Sequence, residues 1–522
     1  MDEQLQEIFP GGSVIDNGRE QNSMSNEIFK KVTSESVGIK SECLEKFINH
    51  LQNKGIVMHD VVMAKGDNIF FEAYWKPFDK DFCHRQYSQT KSFVGIAIGL
   101  LEEEGKLNLG DKIADYFRDK IERELPIYLE NQTIKDMLTM TTSCECPSWS
   151  LSKDQDRVHL YFNESLVIRP SGTMWEYDSA GSQVLSALVE RLSGKSLLAY
   201  LKEKLFDEMH CFKTATVLKV PTGEEWGDSA MVCRPYDMLA FGRFVMNGGT
   251  WRGKRLMNEA YLREATSAIV YNSNTGHLSA RNSYGYGYQI WRIRNNSFAF
   301  VGMGQQLTIC VPDKDIIFVC NSDVQGSCYP YDTVIDFLFD EVIEKASNVP
   351  LPEDKKGQEK LTALCDNLKL RAISGMKKTK LQQSINGKIY KSIGENTPQI
   401  SELSLRFDEN GGGVFEYTNL QGKKQLPFKM NDNWFGKFPQ LGYSNEIGNL
   451  PTMDGFMYDC AVSAAWKDEH RLQIFVQIID KYFGNCTMTF SFKDAYLTVE
   501  MTKVAEGFLE EYEGIIVAKH AR

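Results

Sequence analysis

The chain has 522 residues, of which 42% are hydrophobic and 25% charged, and its formal net charge is -11 at pH 7. This length is too great for a single hydrophobic core and predicts two domains. The acidic balance argues against nucleic acid or an anionic membrane as a partner. The start MDEQLQEIF lacks the basic and apolar segments of a signal peptide.

The first domain is predicted to run from residue 33 to 348, after a loose polar tail over residues 1–32. Hydrophobic patterns predict helices at 41–53, 88–104, 182–192, 236–246 and 332–346. They predict strands at 59–64, 69–75, 284–292, 298–301, 306–311 and 316–321. The order indicates an α+β domain in which a helical lobe is inserted into an antiparallel sheet.

A second domain is predicted over residues 359–522. Pro350, Pro352 and the charged residues 353–356 indicate a linker over 349–358. After a helical stretch at 360–370, apolar and polar residues alternate at 403–407, 472–478, 488–492 and 497–501. This period of two, with an Asn-Gly-Gly turn at 410–412, predicts an antiparallel β domain, either a sandwich or a barrel.

A Ser-x-x-Lys pattern opens the predicted buried helix. Ser88 and Lys91 are three residues apart and share one helix face. A buried lysine that becomes neutral could take the serine proton, and the helix N-terminus would favour developing negative charge. The pattern also begins at Ser150 and Ser374, in a polar loop and a basic segment. On the pattern alone, Ser88 could instead be an N-cap residue.

Further motifs accompany this pattern in a fixed order. They are HRQYSQTKSFVGIAIGLLEEEGKLNLGDKI at 84–113, TIKDMLTMTT at 133–142, SGTMWEYDS at 171–179, YDMLAFG at 236–242, NGG at 247–249, YGYGYQIW at 284–291 and VGMGQQ at 301–306. Over roughly residues 35–345 they resemble the β-lactamase-related serine hydrolases. That family includes class C β-lactamases, D-alanyl-D-alanine peptidases, family VIII esterases and 6-aminohexanoate-dimer hydrolases. The resemblance implies the β-lactamase/transpeptidase-like fold.

The resemblance also implies roles for individual residues. Ser88 would attack a carbonyl and become acylated, Lys91 would activate it, and Tyr177 would relay a proton to the leaving group. The alternative for Tyr177 is a core aromatic residue. Ser179 fills the last place of the second motif and would contact Lys91 or substrate, or cap the helix that follows.

The third motif of the resemblance lies at Val301-Gly302-Met303-Gly304. An oxyanion hole would combine the backbone N–H of Ser88 with that of Met303. Gly302 and Gly304 flank this position, although both could belong to a plain turn or bulge.

Three features depart from the family pattern. The third motif has no leading Lys or His, and Gln305 stands where relatives commonly have glycine. Thr142-Ser143-Cys144 replaces the usual glycine after the preceding helix. These departures leave the nucleophile intact and favour uncharged ester or amide substrates.

His84, four residues before Ser88, is expected to be a surface or supporting residue rather than a catalytic one.

The sequence therefore predicts a serine hydrolase that cleaves an ester or amide bond of a small-molecule or peptide-like substrate. The alternatives are a D-amino-acid peptidase or β-lactamase using the same nucleophile, a catalytically silent penicillin-binding-like protein, and a function residing in the C-terminal domain. No metal is expected, because no histidine pair has metal-ligand spacing, and no cofactor is expected either. Nucleic acid and membrane partners are not expected, because the charge balance is acidic. The scattered cysteines predict reduced thiols in the cytoplasm.

Overall fold

The computed structural model describes residues 28–147, 155–272, 284–325, 333–440, 456–505 and 509–520. The chain divides into two compact units, and the division falls between Leu370 and Arg371. The division therefore lies beyond the linker predicted over 349–358. Part of that predicted linker is helical, since a helix begins at Lys355. Leu361 and Leu368 are buried in the core of the N-terminal unit, so residues 359–370 belong with it.

A seven-stranded sheet forms the centre of the N-terminal unit. Its strands in chain order are Lys30–Lys31 (β1), Met58–Lys65 (β2), Asn68–Tyr74 (β3), Trp291–Ile293 (β4), Ser297–Gly302 (β5), Gln306–Val311 (β6) and Ile316–Ser322 (β7). Their spatial order is β1-β3-β2-β7-β6-β5-β4. All neighbours are antiparallel except β1 and β3. Three strands precede the helical lobe in sequence and four follow it, which confirms the predicted insertion.

Helices cover both faces of this sheet. They are Ser41–Asn53 (α1), Thr90–Glu103 (α2), Ile127–Glu130 (α3), Ile134–Leu138 (α4), Arg157–Glu164 (α5), Ser179–Ser193 (α6), Leu197–Leu201 (α7), Asp207–Met209 (α8), Pro235–Met246 (α9), Glu259–Ala265 (α10), Thr333–Leu338 (α11) and Lys355–Asp366 (α12). Short strands within the lobe form one three-stranded sheet and two pairs. The sheet consists of His84–Arg85, Met231–Cys233 and Thr216–Val217, and the pairs are Cys144–Glu145 with Leu166–Val167 and Thr250–Trp251 with Lys254–Arg255.

Strand β2 shows why the sheet is buried on both sides. Val62 and Ala64 belong to the core shared with α2 and the lobe. Val61 and Met63 belong to the core shared with α1 and α11. Because successive side chains of a strand point to opposite faces, an unbroken apolar strand fits between two layers of helix.

Two predicted segments differ from the structure. The predicted strand at 284–292 begins only at Trp291. Gly285 and Gln289 have φ angles of 109° and 57°, which a strand does not accept, and a Cβ on Gly287 would lie 1.9 Å from the Ala265 carbonyl oxygen. The predicted tail over 1–32 includes Lys30–Lys31, which pairs with β3; residues 1–27 lie outside the described residues.

The C-terminal unit is a closed barrel, which decides between the two predicted architectures. After helix Lys380–Ile385 (α13), its strands are Tyr390–Ser392 (β8), Glu402–Phe407 (β9), Gly412–Asn419 (β10), Gly422–Met430 (β11), Trp434–Lys437 (β12), Asp459–Trp466 (β13), Arg471–Ile479 (β14), Phe483–Lys493 (β15), Tyr496–Ala505 (β16) and Gly514–His520 (β17). Nine strands form the ring β11-β10-β9-β8-β17-β16-β15-β14-β13. A parallel pairing of β11 with β13 closes it, and β12 pairs with β13 outside the ring.

Within the described ranges, no helix is both long and apolar enough to cross a bilayer. The same ranges hold no group of three or more His, Cys, Asp or Glu side chains arranged to bind a metal ion. The cytoplasmic location and the lack of a metal stay predictions.

Candidate active site

Ser88 lies in a tight turn at the entrance to helix α2. A single 3-10 turn over Tyr87–Gln89 leads into the α-helix, which begins at Thr90, two residues later than predicted. Ser88 is partly exposed, whereas Tyr87 and Gln89 are buried. The serine hydroxyl is therefore accessible at the surface of an otherwise buried segment.

The backbone before Ser88 is held in an uncommon conformation. Tyr87 has a φ of 47°, in the left-handed region that costs a bulky residue about 1–3 kcal/mol. Thr90 Oγ1 donates to the Tyr87 carbonyl at 2.6 Å and accepts from the Met231 N–H at 3.0 Å. The Arg85 guanidinium lies 4.3 Å from the Tyr87 ring centroid. These contacts fix the position from which Ser88 projects.

Lys91 is placed to act on Ser88. Its Nζ donates to Ser88 Oγ at 3.0 Å and to the Asp228 carbonyl at 2.7 Å. Its side chain is only 2% exposed. The first turn of a helix brings the two side chains to one face, as the spacing predicts. Proton transfer between Ser88 and Lys91 requires no further approach of these atoms.

Tyr177 lies beside Lys91, in the loop that leads into helix α6. Its ring centroid is 5.1 Å from Lys91 Nζ. The ring stacks on Trp291 with centroids 5.9 Å apart and planes inclined by 23°. Tyr177 is 38% exposed, whereas the neighbouring Trp175 is 2% exposed. The exposure does not fit the alternative of a core aromatic residue; that description fits Trp175.

Ser179 is the first residue of α6, and Asp178 rather than Ser179 is its N-cap. The Asp178 carboxylate accepts from the Gly181 N–H at 2.8 Å. Burial raises the pKa of Asp178, against the opposing effects of that hydrogen bond and of nearby Lys91. The capping alternative for Ser179 is therefore wrong, and a contact of Ser179 with Lys91 or substrate stays a prediction.

The third motif packs directly against the segment that carries Ser88. A Cβ on Gly302 would lie 2.3 Å from the Gln86 carbonyl oxygen, so only glycine fits at the end of β5. Met303, Gly304 and Gln305 then form the loop between β5 and β6, with Gly302 paired to Gln306. This close approach brings the Met303 loop near the nucleophile, where the proposed oxyanion hole would form.

The loop geometry favours glycine at position 305, where this chain has glutamine. Gln305 has a φ of 61° and Gly304 a φ of 75°, and glycine adopts such angles most readily. Gln305 is 1% exposed, and its carbonyl accepts from Ser322 Oγ at 3.0 Å. The loop is also held by Gln306, whose Nε2 donates to the Met303 carbonyl at 3.0 Å.

A family model described as Beta-lactamase matches residues 44–334, which include Ser88, Lys91, Tyr177 and the third motif. The chain belongs to the β-lactamase family. The match spans the inserted lobe and six of the seven strands of the sheet, all but β1, and it ends before the barrel.

Two curated relatives of this β-lactamase-family chain carry different names. It is 22% identical over 259 residues to the 6-aminohexanoate-dimer hydrolase of Paenarthrobacter ureafaciens, covering 47% of this chain and 66% of that protein. It is 25% identical over 187 residues to Penicillin-binding protein 4* of Bacillus subtilis (strain 168), covering 32% of this chain and 40% of that protein. The chain thus spans less than two thirds of either relative.

A solved structure shares the fold. The putative 6-aminohexanoate-dimer hydrolase from Bacillus anthracis matches with a TM-score of 0.51 and 17% identity, over 62% of this chain and 88% of that one. The two relatives are named as a hydrolase and a penicillin-binding protein, and the structural match shows that the fold is shared.

The structure adds Asp228 and Arg157 to the residues predicted for the site. Asp228 Oδ2 lies 3.7 Å from Lys91 Nζ, and Asp228 Oδ1 lies 3.5 Å from Arg157 Nη1. The Arg157 guanidinium packs over the Trp226 ring at 4.6 Å. All of these side chains are nearly buried. No motif marked them, because Asp228 stands in a Gly-Asp-Ser sequence typical of a solvated turn.

A buried polar cluster lies beneath the Ser88 segment. His84 Nδ1 is 3.4 Å from Asp60 Oδ2, and both side chains are fully buried. Asn321 Nδ2 donates to the Asp60 carboxyl group at 3.0 Å, and Gln86 Nε2 donates to Asn321 Oδ1 at 3.3 Å. Burial raises the pKa of Asp60 to about 8 and lowers that of His84 to about 3. His84 is thus a supporting residue of the interior rather than of the surface.

Proposed function

We propose that this chain is a serine hydrolase that cleaves ester or amide bonds through an acyl-serine intermediate on Ser88. The observation that carries the proposal is the 3.0 Å hydrogen bond between Lys91 Nζ and Ser88 Oγ at the start of a buried helix. Tyr177, adjacent to Lys91, completes a set of groups able to move one proton. Membership of the β-lactamase family supports this chemistry.

The reaction begins when Ser88 Oγ bonds to the substrate carbonyl carbon and gives up its proton to the Lys91 and Tyr177 pair. The carbonyl electron pair moves to its oxygen, which the N–H groups of Ser88 and Met303 would stabilise. The oxyanion collapses, and the leaving alcohol or amine takes the proton as its bond to carbon breaks. A water molecule then repeats these steps on the acyl-serine and releases the acid.

Labelling of the serine tests the proposal. We expect a fluorophosphonate to add one adduct mass to the intact protein, and peptide mapping to place it on Ser88. Ser88→Ala should abolish the adduct while the circular dichroism spectrum is unchanged, since only a hydroxyl is lost. Ser374 serves as the internal control, because it is exposed and lies outside any helix. Label on Ser150 or Ser374, or none at all, would refute the assignment.

We also propose a preference for uncharged substrates over β-lactams. Penicillins carry a carboxylate near the scissile carbonyl, and the third motif offers no cation for it. The two arginines that precede the third motif in sequence, Arg292 and Arg294, already interact with other groups of the protein. Arg294 pairs with Asp336, Asp340 and Glu344, and Arg292 donates to the Thr266 carbonyl at 2.9 Å.

A comparison of three substrates measures this preference. A missing charge-assisted hydrogen bond costs about 1.5–3 kcal/mol, or one to two powers of ten in specificity. We expect kcat/KM for p-nitrophenyl butyrate or for a D-amino-acid amide to exceed that for nitrocefin by such a factor. A tenfold advantage for nitrocefin would overturn the substrate proposal and leave the Ser88 assignment standing.

A further inference from the structure

Four aromatic rings form a connected cluster beside the proposed catalytic groups. They belong to Trp175, Tyr177, Tyr286 and Trp291. Adjacent ring centroids are 5.1–6.4 Å apart, a spacing at which aromatic pairs attract each other. The Tyr177 ring centroid is in turn 5.1 Å from Lys91 Nζ. The cluster therefore joins the candidate active site to the start of β4.

The inner and outer rings of this cluster differ in exposure. Trp175 and Tyr286 are 2% and 1% exposed, and they pack with Met140 in a small hydrophobic core of their own. Tyr177 is 38% exposed, and Trp291 is partly exposed. The planes of these two outer rings are inclined by only 23°. Tyr177 and Trp291, the outer pair, are thus nearly parallel rings that both have surface open to solvent.

The position of Trp291 is fixed from several directions. Its backbone pairs with Ala299 of β5 and forms an isolated bridge with Tyr286. The rings of Tyr286 and Trp175 meet the indole at 88° and 66°, with centroids 5.1 and 5.5 Å away. A ring that is already held in place loses little conformational entropy when a ligand contacts it.

The charged residues next to the outer pair in sequence interact with other groups. The Glu176 carboxylate pairs with Arg169 Nη1 at 2.5 Å. Arg292 donates to the Thr266 carbonyl at 2.9 Å. The outer pair itself offers aromatic surface with only a hydroxyl and an indole N–H as polar groups. Such a surface suits a flat apolar group of a ligand better than a charged one.

We infer that Trp291 is a specificity-determining residue that binds an aromatic or similarly flat apolar group of the substrate, close to the scissile ester or amide bond. This inference rests on the proposed function. An aromatic ring gains from stacking on another ring beyond the area that it buries, and a saturated ring of similar size does not stack in this way. The outer pair should therefore favour aromatic substrates over their saturated counterparts. The flat group belongs to either the leaving group or the acyl group, and the test distinguishes the two.

The test compares the hydrolysis of ester pairs that differ only in whether one ring is aromatic or saturated. In the leaving-group arm, benzyl, phenethyl and phenylpropyl acetates are each paired with their cyclohexyl counterparts. In the acyl arm, methyl phenylacetate and methyl phenylpropanoate are paired in the same way. The readout is the ratio of kcat/KM, aromatic over saturated, within each pair, because a displaced Tyr177 would slow both members. We expect a wild-type ratio of about 3–10 in at least one pair.

Three variants isolate the contribution of the indole ring. Trp291→Leu should lower the ratio by about 3–10-fold, since leucine is apolar but not flat. Trp291→Phe keeps a ring and should keep much of the preference. Trp434→Leu is the matched control, because Trp434 is also a partly exposed tryptophan at the start of a strand, in the C-terminal unit. Its loss should leave the ratio unchanged.

The arm that shows the preference identifies the part of the substrate that carries the flat group. A wild-type ratio near one in every pair, or a ratio in Trp291→Leu within about twofold of wild type, would overturn the inference. Trp291→Met, which is also apolar and not flat, replaces Trp291→Leu if that variant does not fold. Absence of both ester hydrolysis and Ser88 labelling in the wild type would instead refute the proposed function.

Discussion

The contact between Gly302 and the Ser88 segment gives a sharp test of how finely the site is positioned. A Cβ at position 302 would lie 2.3 Å from the Gln86 carbonyl oxygen, whereas carbon and oxygen need about 3.3 Å. Gly302→Ala must therefore separate β5 from the chain two residues before Ser88 by roughly 1 Å. A misplacement of this size costs about 100-fold in rate, and overpacking costs about 1–3 kcal/mol of stability.

The assay compares Gly302→Ala with a control of similar steric severity in the C-terminal unit. A Cβ on Gly375 would lie 2.4 Å from the Trp466 carbonyl oxygen, so Gly375→Ala meets a backbone oxygen at nearly the same distance. We expect both variants to melt a few degrees below wild type, and only Gly302→Ala to lose about 100-fold in Ser88 labelling rate and in ester kcat/KM. Full activity in Gly302→Ala, or equal loss in Gly375→Ala, would refute the reasoning.

Two further predictions concern proton transfer and the buried polar cluster. Lys91→Ala and Tyr177→Phe should each lower kcat by about 10²–10⁴-fold, and the double variant should lose little more, because both serve one proton path; near-normal kcat in Tyr177→Phe would exclude its relay role. Asp60→Asn should gain stability relative to wild type as pH rises from 3.8 to about 8. In that window the folded wild type holds the Asp60 proton and the unfolded chain releases it, so wild-type stability falls with pH. Melting temperatures from pH 5 to 9 check this, and a constant difference would contradict it.

The parts of the fold that the sequence predicts are those set by local periodicity. The α2 segment is apolar on all sides, which identifies a buried helix, and the serine and lysine at its start share a face by spacing alone. The hairpin of β2 and β3 is local as well, since Gly66 supplies the φ of 58° that its two-residue turn needs.

The parts that the sequence does not predict depend on contacts between distant residues. Asp228 is 137 residues from Lys91, and its neighbours suggest an exposed turn. The loss of strand structure before Trp291 follows from the approach of Gly287 to Ala265, which periodicity cannot show. Alternating residues likewise fit a sandwich and a barrel equally, because both bury one face of each strand.

Closure of the barrel places the last described strand in an unusual position. β17, residues Gly514–His520, lies between β8 and β16 in the ring, so both of its edges are hydrogen-bonded to a neighbouring strand. Deleting it would open the cylinder and leave two strands with unpaired backbone groups, which favour self-association. Shortened versions of this protein should therefore stop before Arg371, where the two units divide, and not within the final strands.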